Sequence, residues 1–292
     1  MRIVTGLRRR SRSLGLIFDE LAGSPLMRLG AVLVATAIIA ALVGPLVAPY
    51  DPTAIDLDVR LQAPSMAHWL GTDELGRDLL SRLLHGARIS LAIGVSIVAL
   101  SASVGTLIGA YAGLKGGWLD AAIMRATDVV LSLPGLVMAM AFTAALGPSL
   151  FNATLALAFV ATPGMVRLAR GQALTVRSEA YVEASQLYGA PSRHILLRHI
   201  IPNAAPALIV QATLSVGAII LAAAALSFLG LGAQPPTAEW GAMVANGRNY
   251  LTIHPAYPIA PGLAILVTAT GFNLLGDGLN DALNPRREGR AK

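Results

Sequence analysis

Six stretches of this chain are apolar enough, and long or nearly long enough, to cross a lipid bilayer. A helix needs roughly 20 apolar residues to traverse the hydrocarbon core. The stretches run over about residues 29–49, 89–111, 129–146, 150–166, 205–229 and 257–275, the fourth being short. The expected fold class is therefore all-α, a polytopic membrane helix bundle of about six transmembrane helices. Composition agrees: only 13% of the 292 residues are charged, against roughly 25% in an average soluble domain. Too little polar surface remains to cover a soluble globule.

The first stretch follows 28 residues that include Arg8, Arg9, Arg10 and Arg12. Its apolar run is longer than that of a signal peptide and no small-x-small cleavage site follows, so it reads as a retained helix. Basic residues then set the orientation. Segments 1–28, 112–128, 167–204 and 276–292 hold 17 of the 22 Lys and Arg, leaving 5 for segments 50–88 and 230–256. Basic loops stay on the cytoplasmic side. Both termini are thus expected in the cytoplasm, as an even number of spans requires. The net charge of +6 reads as topology, and no nucleic-acid partner is expected.

Two segments on the opposite side are long enough to fold. In 50–88, Leu79, Leu80, Leu83 and Leu84 fall on one helical stripe with Asp78, Arg82 and Arg88 off it. That pattern predicts a short amphipathic helix at the interface, before the second span. In 230–256, Gly230, Gly232, Pro235 and Pro236 stop the fifth helix, and Trp240 and Tyr250 are candidate headgroup anchors. Gly105, Gly109 and Gly113 make two overlapping GxxxG units suited to close helix packing. Pro134 and Pro163 are candidate kinks in the third and fourth helices.

The absent chemistry is informative. The chain has no cysteine, which excludes disulfides and thiolate chemistry. The spans carry almost no ionisable groups, and Asp128 and Asp277 fall near cytoplasmic ends. A carrier with its own ion pathway places such groups near the bilayer centre. Neither Lys115 nor Lys292 follows a phosphate loop, and no HExxH or GxSxG is present. His194 and His199 are five apart, off the spacing that points two imidazoles at one metal, and read as loop histidines.

One cytoplasmic loop remains, "RSEAYVEASQLYGAPSRHILLRHIIPNAAPA". Ala184, Leu187 and Tyr188 follow helical spacing and predict an apolar face. Gly189 suits a left-handed helix end, Pro191 the first turn of a second helix, and Pro202 its stop before the fifth span. An ordinary folded loop, a DNA-reading helix-turn-helix and a partner-docking element all fit this pattern. The helix-turn-helix is disfavoured because the loop is pinned between two spans and carries Glu179 and Glu183.

The loop resembles the EAA motif of binding-protein-dependent ABC importer permeases. Glu183, Ala184 and Ser185 stand in its first three places, Gly189 at the required spacing, and His199, Ile200, Ile201 and Pro202 at its end. Ser185 departs from the second alanine. His199 departs from the general motif but is similar to the peptide-importer branch. Three further segments resemble the dipeptide/oligopeptide (DppC/OppC-type) permeases: "HWLGTDELGRDLLSRLLHGARISLAIG" from His68, "LSFLGLGAQPPTAEWGAMV" from Leu226 and "FNLLGDGLNDALNP" from Phe272.

The resemblance implies a type I ABC importer permease. Its parts would be a cytoplasmic segment 1–28, a first helix and extracytoplasmic segment 29–86, the transport domain 87–276 and a tail 277–292. It implies a second, homologous permease, two ABC ATPase subunits, an extracytoplasmic solute-binding protein and a peptide-like substrate within membrane lipid. Residues 183–189 and the following helix, with His199, Ile201 and Pro202, would form the element that couples to an ATPase. The chain itself would have no catalytic residues and no cofactor, ATP and Mg being held by the ATPases. Nickel and glutathione importers share this subunit type and remain alternatives for the solute. A secondary carrier is the alternative outside the class.

Overall fold

The computed structural model describes residues 23–283, which form helices and loops with no β-strand. The basic N-terminal run and the last residues of the tail lie outside that range. The helices are α1 (Pro25–Val47), α2 (Leu79–Lys115), α3 (Gly117–Leu131), α4 (Gly135–Leu146), α5 (Leu150–Arg177), α6 (Ala180–Leu187), α7 (Ser192–Ile195), α8 (Ile201–Phe228), α9 (Trp240–Gly247) and α10 (Ala256–Leu283). In hydrocarbon every backbone polar group must be satisfied within the protein, which is why the apolar stretches close as helices. Five helical segments are long and apolar enough to span, and α3 with α4 makes a sixth if that bent pair is one span.

That pair corrects the expected third span. A continuous helix does not run through it; α3 and α4 meet at 88°. Pro134 lacks an N–H, and its ring forces Leu133 away from helical geometry, so the chain turns rather than kinks. The fourth stretch, expected over 150–166, is also longer in the structure. Helix α5 runs 28 residues and continues through Pro163.

Helix α2 overturns a second expectation. Leu79, Leu80, Leu83 and Leu84 are not a separate interfacial helix but the first turns of one 37-residue helix. Its start is fixed by Asp78, whose Oδ2 accepts from the Ser81 amide and hydroxyl, both at 2.7 Å. Asp78 and Arg82, assigned to the polar side, are buried along with Leu79. What covers them is a cap of loops formed by residues 48–78 and 229–255. In it Glu239 starts α9 by accepting from the amides of Gly241 and Ala242 at 3.0 Å, and Ser90 of α2 donates to the same carboxylate. Trp240 is consequently no headgroup anchor. It is buried, and its indole N–H donates to the Leu83 carbonyl at 3.0 Å. Tyr250 is half-buried and stacks on Tyr257.

Four apolar clusters hold the bundle among the described residues, the smallest being Ala169, Ala204 and Leu208 where α5 meets α8. One joins α1, α2, α8, α9 and α10 through Val34, Leu91, Ile220, Met243 and Tyr257. A second joins α2, α4, α5 and α8 through Ile97, Ala139, Leu157 and Leu226. The third lies at the opposite end from the cap, around Ala110, Leu114, Ala173, Val182, Ile195 and Ile200. This opposite end, with the loop between α5 and α8, is called the loop end below. Around the outside, Ile39, Leu42, Leu46 and Val137 stay exposed, as lipid-facing or partner-facing surfaces do in a membrane bundle.

Candidate coupling site

At the loop end, α6 stops at a turn whose geometry is fully specified by its hydrogen bonds. Gly189 sits at φ +75°. Its amide donates to the Gln186 carbonyl and the Ala190 amide to the Ser185 carbonyl, each at 3.0 Å. This is a Schellman closure, in which a left-handed residue lets two amides satisfy carbonyls that the helix end leaves open. A Cβ at Gly189 would meet nothing within 4 Å, so only the backbone conformation asks for glycine there.

The apolar face expected of α6 is corrected. Leu187 and Tyr188 are 88% and 91% exposed, and Ala184 is half-buried. The anchor is Val182, which is fully buried in the loop-end cluster. Sequence reasoning passed it over because the helical stripe through 184, 187 and 188 looked longer. Glu183 is exposed on the same short helix, and Ser185 donates its hydroxyl to the Tyr181 carbonyl at 3.0 Å. Helix α6 therefore docks by one side chain and presents an acid, a leucine and a tyrosine outward.

Beyond the turn, Pro191 caps α7 rather than lying within its first turn. Pro202 does not stop the second helix either. Residues Ser192–Phe228 run as one helix that widens into a π-turn at Leu196–Ile200. There the Ile201 amide donates to the Leu196 carbonyl five residues back. Pro202 has no N–H to give Arg198, and its ring would strike that carbonyl in a regular helix; the wider turn makes room. His199 lies 5.7 Å from the His194 ring and 5.6 Å from the Tyr181 ring, centroid to centroid. The Asn203 side chain donates to the His199 carbonyl at 2.5 Å. Ile200 is buried and Ile201 half-buried against the same cluster. Positions 183–189 and 199–202 are thus brought to one end of the bundle, where Val182 on one side and Ile200 and Ile201 on the other share one small core.

Gly105, Gly109 and Gly113 lie on α2 where it crosses α5. An added Cβ would fall 2.6 Å from Met165 Cβ at Gly105 and 2.8 Å from the Arg170 carbonyl oxygen at Gly113. At Gly109 it would overlap the Val166 carbonyl oxygen. Two ion pairs, not foreseen from the sequence, tie α5 to α3. Arg170 grips Asp120 bidentately at 2.5 and 2.6 Å, and Arg167 meets the half-exposed Asp128 at 2.5 Å. The only available signal was the recurrence of arginine on α5 opposite the acids of α3.

Comparison with known proteins fits this arrangement. Residues 105–289 match the family described as binding-protein-dependent transport system inner membrane component. Residues 14–64 match the N-terminal TM domain of oligopeptide transport permease C. The chain is 53% identical over 270 residues to the probable D,D-dipeptide transport system permease protein DdpC of Escherichia coli (strain K12), covering 92% of this chain and 91% of that one. It is 48% identical to the di/tripeptide transport system permease protein DppC of Pseudomonas aeruginosa (strain UCBPP-PA14), with 86% and 85% covered. It is 45% identical to the glutathione transport system permease protein GsiD of Escherichia coli O6:K15:H31, with 83% and 80% covered. On a family match over most of the helix bundle, and relatives aligned nearly end to end, the chain belongs to the inner-membrane permease components of binding-protein-dependent transport systems.

Proposed function

We propose that this permease moves di- or oligopeptides across the bacterial inner membrane as half of a translocation pathway. The other half is a second, homologous permease. Two ABC ATPase subunits supply the energy and hold ATP and Mg, and an extracytoplasmic binding protein delivers the solute. In this reading the loop end faces the cytoplasm with both termini, the cap faces outward, and the chain itself makes and breaks no bond.

The observation that carries the reading is the build of α6. A short helix offers Glu183, Leu187 and Tyr188 to a partner while Val182 and the Gly189 turn tie it to α8. A docked ATPase that moves α6 would move a transmembrane helix through packed side chains, not through a loose loop. ATP binding then biases a two-state bundle, as a ligand shifts any equilibrium by its differential affinity for the two states. The solute class is supported by the peptide permeases among the relatives.

The test is reconstitution of the complex with its binding protein in liposomes, with mass spectrometry of the solute that co-purifies. Peptide uptake that needs ATP and the binding protein is the expected result. Uptake by this chain alone, without ATP, would overturn the reading in favour of a carrier.

A further inference from the structure

A cavity of about 640 Å³ opens at the cap, between the segment entering α2, the turn after α8, and α9. Its wall includes Glu74, Arg77, Arg82, Asn246, Arg248 and Asn249. The unusual member is Arg82, a guanidinium only 2% exposed. Its Nη1 donates to the carbonyls of Pro52 at 2.8 Å and Pro236 at 3.4 Å. Its Nε is buried with no hydrogen-bond acceptor, although it lies 3.5 Å from Asp73 Oδ2.

Asp73, the ion-pair partner of Arg82, is shared with Arg77. Oδ2 accepts from Arg77 Nε at 2.6 Å, and Oδ1 accepts from the backbone amides of Leu75 and Arg77 at 2.9 Å. Glu74 is also engaged, accepting from the Tyr257 hydroxyl and pairing with Arg77 at 3.6 Å. Arg248, at the mouth, lies over the Phe228 ring at 5.2 Å, and no carboxylate among the described residues pairs with it. Three guanidinia thus stand against two carboxylates, both of which already pair with Arg77. Burying a charged guanidinium is costly unless it is paired and its N–H groups are satisfied. A carboxylate offers two oxygens in the geometry of the guanidinium fork. The volume falls within the roughly 300–1,000 Å³ of small-molecule pockets, and the Asn246 and Asn249 amides match the hydrogen bonding of a peptide group.

We propose that this cavity receives the free carboxylate of the transported solute, with Arg82 and Arg248 as its partners. The identity of that solute as a peptide rests on the importer reading above; the carboxylate site rests on the cavity itself.

The test uses the full-length chain in lipid nanodiscs, purified with its accompanying subunits and without the binding protein. Binding of alanyl-alanine and of its C-terminal amide is compared by saturation-transfer NMR. Losing a charge-assisted hydrogen bond weakens binding roughly 10- to 100-fold, and that is the expected ratio between the two probes. Arg82→Lys should erase the preference. Because Arg82 is buried, Arg248→Gln at the exposed mouth is measured beside it and should also weaken alanyl-alanine. Equal binding of acid and amide, or wild-type affinity in both variants, overturns the proposal. So does a pair of variants that bind the dipeptide normally but lose docking of the binding protein, since the occupant would then be a protein carboxylate. ATP-driven uptake is read separately. A complex that imports alanyl-alanine but ignores amidation sinks the cavity assignment alone. One that prefers the acid yet imports nothing sinks the importer reading alone.

Discussion

Gly189 and Gly109 are both positions where a side chain is costly, for opposite reasons. At Gly189 there is room for a Cβ but φ is +75°, and a β-branched residue there costs about 1–2 kcal/mol in a left-handed turn. At Gly109 the backbone is ordinary helix, and the obstacle is the Val166 carbonyl. Gly189→Val should therefore leave insertion and complex yield near normal while depressing binding-protein-stimulated ATP hydrolysis and uptake. Glu183→Ala should do the same less severely. Gly109→Leu should instead remove the assembled complex from the membrane fraction, because α2 and α5 are forced apart. Quantitative blotting with transport assays separates the two; normal yield of Gly109→Leu would mean that this crossing tolerates separation. Both glycines were legible in the sequence from spacing alone. Val182 was not, since a single valine among exposed polar neighbours carries no periodic signal, and its burial depends on Ile195 and Ile200 arriving from beyond the turn.

Among the elements, the elbow between α3 and α4 was the least legible. Its residues are as apolar as those of a straight span, and hydropathy does not register direction. Pro134 was visible, but its effect depends on what receives the turned chain. Part of the answer is the Arg170–Asp120 pair, which holds α3 against α5 with Asp120 largely buried. A charge-assisted pair in that setting contributes on the order of 1–2 kcal/mol. Asp120→Asn should lower the thermal midpoint of the purified complex by a few degrees. The swap Asp120→Arg with Arg170→Asp should restore part of the loss. A single variant as stable as the parent would show that the elbow is held by apolar packing alone. The cap eluded the sequence for a related reason. Arg82 and Trp240 have polar or amphipathic side chains that belong at a surface by type, and only the loops folding back over α2 bury them.

For the whole molecule, the absence of cysteine makes orientation directly measurable. Single cysteines at Ile55 and Tyr188, both exposed, should react oppositely toward a membrane-impermeant maleimide in intact spheroplasts. Ile55→Cys should label at once, and Tyr188→Cys only after permeabilisation. Labelling of Tyr188→Cys from outside would invert the topology and remove α6 from any cytoplasmic partner. The number of spans, five or up to six, followed from composition and order along the chain. The pairing of helices did not, because it depends on which small residues meet across the bundle.

Two helical rods of 37 residues run through this protein, α2 and the segment Ser192–Phe228. At 1.5 Å per residue each is about 55 Å long, against roughly 30 Å of hydrocarbon. Such a rod acts as a lever with the bilayer as its fulcrum. A tilt of about 10° around its midpoint carries the two ends roughly 5 Å in opposite directions. The second rod begins just past the Gly189 turn and ends at Phe228, on the wall of the cap cavity. One end cannot be pushed without the other swinging back. In the transport cycle proposed above, opening at one face and closing at the other would then be joined through a single helix, with no message passed between separate parts.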